Sequence, residues 1–208
     1  MSKAIWTVVN QCLSISICAL GLISSSWAAV STGTDKEAQL PYWELKAAGL
    51  SLRLVQRLPD QSRAFFAARG FAASESELIA QSCIFQTVIK NDTTSANSAL
   101  VSYDLSQWKI TQQGHATGLK TREMWAEEWR LRTVNQAARI AFEWSLLPTQ
   151  QSYQQQDYNW GMTSFALAPG VKFNLTVLWM LDRQPQSATI KNIECARDIH
   201  PEPSGSEK

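Results

Sequence analysis

Glu77 to Asp92 reads ELIAQSCIFQTVIKND, and the way this stretch divides decides the class of the fold. Leu78 and Ile79 give its first half an apolar helical edge. Cys83, Phe85, Thr87 and Ile89 then fall on every second position, the period of a strand. The stretch is therefore the end of a helix running through Cys83 into a strand over Ile84 to Lys90.

Upstream, Leu50, Leu52 and Leu54 alternate with Ser51 and Arg53, a first strand. Pro59 and Asp60 suit a helix start, Phe65, Phe66 and Ala68 continue it to Arg69, and Gly70 stops it. Ser74 followed by Glu77 has the form of a capping box and opens a second short helix into Cys83.

Downstream, Asn91 to Ser98 is a polar turn, and Leu100, Tyr103, Leu105, Trp108 and Ile110 mark one or two short strands. Thr111 to Gly118 is a loop. Thr121 to Gln136 reads as an amphipathic helix with Trp125 and Trp129 one turn apart on one face. Ile140, Phe142, Trp144 and Leu146 then alternate with polar or small residues, which predicts a strand closed by Pro148. The Gln-rich run Gln150 to Gln156 reads as a loop, and Thr163 to Leu167 as the next strand. Pro169-Gly170 carries type II turn chemistry. Phe173, Leu175, Val177, Trp179 and Leu181 show the clearest alternation in the chain. Arg183 to Ser187 turns it, and Thr189 to Cys195 is the final strand. Many short strands and few long helices predict a mainly β chain, an antiparallel β-sandwich of immunoglobulin-like type. A helical excursion follows its first strand, and a second helix or crossover lies mid-chain.

The N-terminus bears on the compartment. Lys3 precedes an apolar run from Leu13 to Ile23, and Ser26 and Ala28 are the small residues a cleavage site before Ala29 requires. Ser14 and Ser16 interrupt the run, which falls short of the roughly 20 apolar residues of a membrane span. Residues 1–28 are read as a cleavable export signal, 29–40 as a flexible tether, 41–198 as one domain and 199–208 as a disordered tail. The expectation is a periplasmic or secreted protein with no stable membrane insertion after cleavage. Cys12 and Cys18 leave with the leader, and the remaining Cys83 and Cys195 form an even pair in an oxidising compartment. A bridge between them would tie the middle of the fold to its last strand.

A net charge of +1 with 18% charged residues excludes a strongly basic nucleic-acid binder. Catalytic signals are sparse. The histidines are His115, in the glycine-bearing loop, and His200, in the tail, and no G-x-S-x-G motif marks a nucleophile. An exported hydrolase would have to use His115. Adjacent Glu127 and Glu128 point about 100° apart on a helix and cannot flank one bond. Zinc and haem spacings are absent. A copper carrier would draw on Met124, Met162 and Met180 with His115, residues spread over separate elements. No cofactor is expected.

Aromatic residues are the remaining lead. Trp144 and Trp179 fall on the apolar faces of their expected strands and belong to the core. Tyr42-Trp43 and the Tyr158–Trp160 stretch lie outside strong alternation and are the candidate ligand-binding residues. Exposed aromatic rings stack on sugars, so a carbohydrate-binding module is one reading. Asn91-Asp92-Thr93 and Asn174-Leu175-Thr176 match the N-glycosylation pattern. The function expected is an exported, non-catalytic binding or accessory protein with an unidentified protein or carbohydrate partner.

Overall fold

The computed structural model describes residues 28–94 and 99–199. Strands β1 (Ala29–Thr34), β2 (Pro41–Ala47) and β3 (Leu50–Gln56) precede helices α1 (Pro59–Ala67) and α2 (Ala73–Ala80). Four strands follow: β4 (Ile84–Asn91), β5 (Val101–Asp104), β6 (Lys109–Gln112) and β7 (His115–Thr117). Helices α3 (Arg122–Leu131) and α4 (Gln136–Ser145) come next. The chain then runs through β8 (Gln150–Tyr153), β9 (Tyr158–Ser164), β10 (Lys172–Leu181) and β11 (Gln184–Glu194).

Two-residue turns with left-handed backbone at both positions close the β2–β3, β6–β7 and β10–β11 hairpins. Their φ values are 39° and 76° at Ala48-Gly49, 49° and 83° at Gln113-Gly114, and 46° and 67° at Asp182-Arg183. Such turns match the right-handed twist of the strands they join. The first sheet has the order β1-β2-β3-β4-β9 and the second β7-β6-β10-β5-β8, with β11 on the other side of β10. All of these ladders are antiparallel. β5 and β6 are one interrupted strand along β10, and the register slips where the turn Leu105–Gln107 is inserted.

Alternation places Leu45, Leu52, Leu54, Phe85 and Ile89 of the first sheet against Ile110, Leu175, Val177, Trp179 and Ile190 of the second, all buried. The result is an antiparallel β-sandwich. A second apolar cluster lies on the outer side of the first sheet. There Phe66, Phe71, Trp125, Trp129 and Phe142 of the helical segments cover Ile84 and Met162. Trp125 and Trp129 stack with centroids 4.8 Å apart, and the Lys120 ammonium sits 3.5 Å over the Trp125 ring. Among the described residues no helix is long and apolar enough to cross a membrane.

Several expectations are corrected. Ile140–Leu146 is not a strand: Ala138, Phe142 and Leu146, four residues apart, bury one face of α4 and its end. Asn135 caps this helix, its Oδ1 accepting the Ala137 N–H at 2.8 Å. Trp144 consequently points outward and is 86% exposed, not core. The tether of residues 29–40 contains β1, paired along its length with β2. The Gln-rich loop contains β8, an edge strand on β5. The strand expected over Thr163 to Leu167 begins earlier, at Tyr158. Ser74 lies inside α2, whose cap position is Ala72, and Glu77 turns to Arg63 instead of a capping box. The leader up to residue 27, and the tail from residue 200 with His200, lie outside the described residues.

The Cys83–Cys195 disulfide is formed, with α-carbons 5.3 Å apart and both residues buried. Cys83 takes a left-handed φ of 51° between α2 and β4, a conformation uncommon for a residue with a side chain. Close by, Arg63 holds Glu77 through Nε at 2.6 Å and Nη2 at 2.9 Å, and reaches Asp198 and Asp60 as well. The Arg63 hydrogen bonds hold the Glu77 carboxyl below its ordinary 4.5. A depressed carboxyl pKa contributes stability that is present above 4.5 and lost as pH falls through the lower folded value. Arg63→Gln is therefore expected to lower Tm at pH 7, with the gap to the parent narrowing below pH 4.5; a gap constant across that range rules the linkage out.

Candidate binding surface

β9 carries the surface. Its outward side holds Tyr158, Trp160 and Met162, opposite Lys90, Val88 and Gln86 of β4. Met162 is buried beneath the helical layer, but that layer stops short of its neighbours. Tyr158 is 64% and Trp160 66% exposed. Two residues along a strand separate their α-carbons by about 7 Å, so both rings stand on one flat face.

The helical layer ends here because α4 ends. Leu146 bridges Met162 in parallel fashion, and the Leu147 N–H donates to the Met162 carbonyl at 3.0 Å. A Cβ at residue 161 would lie 2.7 Å from the Leu147 nitrogen, so this crossing requires Gly161. Trp144 and Trp160 are each two residues from the bridged pair. With about 3.8 Å per Cα step, their α-carbons lie within about 20 Å of each other. Ile140, one turn before Trp144 on α4, is also exposed. Trp144 was missed as a surface residue because its alternating neighbours imitate a strand; the signal that places it is the Asn135 cap.

The other two candidate residues part company. Tyr42 shares the outer face of the first sheet but lies three strands from β9, about 14 Å away. Its ring is covered by the Arg53 guanidinium at 3.6 Å, which Asp35 holds at 2.9 Å. Trp43 faces the sandwich interior, 8% exposed and edge-on to Phe85 at 5.9 Å, and is no ligand platform. The structure thus brings Tyr158 and Trp160 together, leaves Tyr42 apart and removes Trp43.

His115 is exposed beside the β6–β7 turn, and among the described residues no hydrogen bond joins its ring to an acid or hydroxyl. Met162 lies under the helices outside the first sheet, whereas Met180 lies on the outer face of the second, with the sandwich between them. Met124 is exposed on α3, so these three do not form one ligand set. Glu127 pairs with Arg130, and Glu128 with Lys120 and Arg132. Asn91 is fully buried, its Nδ2 donating to the Ala99 and Tyr153 carbonyls at 2.7 and 3.0 Å, a structural clamp closed to glycosylation. Asn174 Oδ1 accepts the Asn192 N–H at 3.0 Å.

A concavity of about 730 Å³ lies on the second sheet and is lined by Ser102, Asp104, Gln150, Leu178 and Met180 among others. Its one carboxylate already accepts from Ser106 and, at 2.8 Å, from Gln150. The groove's carboxylate is thus satisfied internally, whereas the two rings on β9 are each about two-thirds exposed. We therefore take the aromatic edge as the candidate surface. No protein-family model, curated protein or solved structure matches the chain.

Proposed function

We propose that the chain is an exported, non-catalytic binding protein, periplasmic or secreted, that holds a partner protein on the Tyr158–Trp160 edge of its first sheet. The observation that carries this reading is the pair of large rings, each about two-thirds exposed, side by side on an otherwise well-buried strand. Tyrosine and tryptophan are the residues that anchor interfaces. Ile140 and Trp144 are exposed too, but on the side of α4 opposite its buried Ala138–Phe142 face, so the recognition surface rests on the two β9 rings. Export is supported by the leader pattern and by the buried disulfide.

The test replaces Trp160. Trp160→Ala leaves Tm within a few degrees, because the ring is mostly in water, and weakens partner capture. A photo-crosslinking residue at position 160 gives a discrete adduct with an exported protein, and one at Lys191, on β11 of the second sheet, does not. Equal adducts from both positions, or a Trp160→Ala chain that no longer folds, remove the reading. The flat spacing of Tyr158 and Trp160 favours a carbohydrate ligand as the second reading. Retention on immobilised polysaccharide that Trp160→Ala abolishes, with no protein adduct, selects it. Intact mass of the exported protein is expected to place the mature N-terminus at Ala29 within a residue or two. Full-length protein retained by membranes after a high-salt wash replaces secretion with anchoring.

A further inference from the structure

The backbone of β9 is as incompletely partnered as its side chains. Met162 offers its carbonyl to Leu147, and Ser164 offers its own to Lys120 at 3.0 Å, so both peptide groups face away from β4. At the other end, the Asp157 carbonyl accepts the Asn91 N–H at 2.9 Å and faces β4. In an antiparallel ladder the N–H and C=O of one residue point to the same side, and the side alternates along the strand. Tyr158 and Trp160 therefore also turn their peptide groups outward. The Trp160 N–H is occupied locally by Asn159 Oδ1 at 2.8 Å. Among the described residues no partner meets the Tyr158 N–H or the Tyr158 and Trp160 carbonyls.

Natural edge strands are commonly blunted by proline, charge or a covering loop. This edge carries neither proline nor a charged side chain between Tyr158 and Met162, and its cover ends at Leu146–Leu147. Those two leucines show what the edge accepts: a short extended segment with apolar side chains, already paired at Met162. One step further along, the same hydrogen-bonding groups stand open beside two exposed rings.

We propose that the partner docks here by strand addition, an extended peptide segment pairing with the outward groups of Tyr158 and Trp160. Alternate apolar side chains of that segment lie over the two rings. This deepens the proposed function and rests on its aromatic edge being the recognition surface. The backbone bonds would supply affinity and the rings selectivity, the division seen wherever a peptide extends a sheet. Asn159 acts as a placeholder, keeping the Trp160 N–H satisfied until the added strand takes it.

The probe is a random decapeptide display library panned on the full chain. The expected result is enrichment of sequences with apolar residues at alternate positions. A synthetic peptide of that sequence loses about thirtyfold in affinity with Trp160→Ala, the scale of an interface anchor. N-methylation of its alternate amides facing β9 weakens it at least about fivefold, the worth of a backbone hydrogen bond, while methylating the intervening amides does not. Asn159→Ala, which frees the Trp160 N–H, tightens binding, an outcome that a purely structural Asn159 would not give. No enrichment, or a peptide indifferent to N-methylation, overturns strand addition. Sedimentation showing a dimer that Trp160→Ala dissolves makes the occupant a second copy and overturns the peptide assignment. If the adduct from position 160 still forms, only the docking mode has failed; if it too is absent, the recognition surface fails with it.

Discussion

Replacing Cys83 and Cys195 together by serine is expected to lower stability by about 4–5 kcal/mol. The bridge closes a loop over a sequence separation of 112, long enough for its constraint on the unfolded chain to approach the top of the usual range. Domains of this kind are stable by about 5–15 kcal/mol, so the loss is about a quarter of the total or more. Geometry shows why this bond matters for architecture. Cys83 leads into β4 of the first sheet and Cys195 follows β11 of the second, so the bond staples sheet to sheet. Backbone bonds from Cys195 N–H to the Val171 carbonyl and from Gly170 N–H to the Cys195 carbonyl anchor the same segment beside β10. Three residues on, Asp198 accepts from Arg63 of α1, so the C-terminal segment is tied twice to the helical excursion. Urea titration of the double variant should show the midpoint falling. Because both cysteines are buried, the native protein is expected to yield no free thiol and to resist mild reductants until it unfolds. Two titratable thiols in the exported native protein contradict this account.

How much of this was legible in the sequence depends on what each side chain meets. On β10 both flanking ladders and the opposing sheet demand alternation, so Phe173 to Leu181 reads plainly. The Cys83–Cys195 pairing also followed from counting alone, and the sandwich class from the spacing of strands. The strand order did not, because hairpin turns fix neighbours only locally while β9 joins β4 across four strands and two helices of intervening chain. β1 was missed because it is an exposed edge strand with no apolar face to advertise it. β2 hid in plain view: Trp43, Leu45 and Ala47 do alternate inward, but Pro41 and the charged Glu44 and Lys46 obscured the period. On α4, three aromatic or aliphatic residues at every second position outweighed the helical spacing that packing selects. The candidate surface was half legible for the same reason. Tyr158 and Trp160 drew notice by composition, yet that they share a face follows only from β9 being a strand, and Trp144 comes to the surface only once α4 is a helix.

Trp179 and Trp144 turn that lesson into a measurement. Both sit in runs of alternating hydrophobicity, and from the run alone both belong in the core. In the structure Trp179 is 3% exposed on a strand with partners on both sides, and its Nε1–H donates to the Ala48 carbonyl at 3.2 Å, across the sandwich on the β2–β3 turn. Trp179→Ala opens a cavity between two sheets that cannot collapse without breaking ladders, and is expected to cost about 3–5 kcal/mol. Trp179→Phe, which keeps an aromatic ring but loses the donor and part of the volume, should cost less. Trp144 stands 86% in water, so Trp144→Ala removes little buried area and is expected to change stability by no more than about 0.5 kcal/mol. Denaturant unfolding of the three variants side by side reads the contrast directly. If Trp144→Ala costs as much as Trp179→Ala, α4 does not present that face to solvent, and the orientation of the helical layer is wrong.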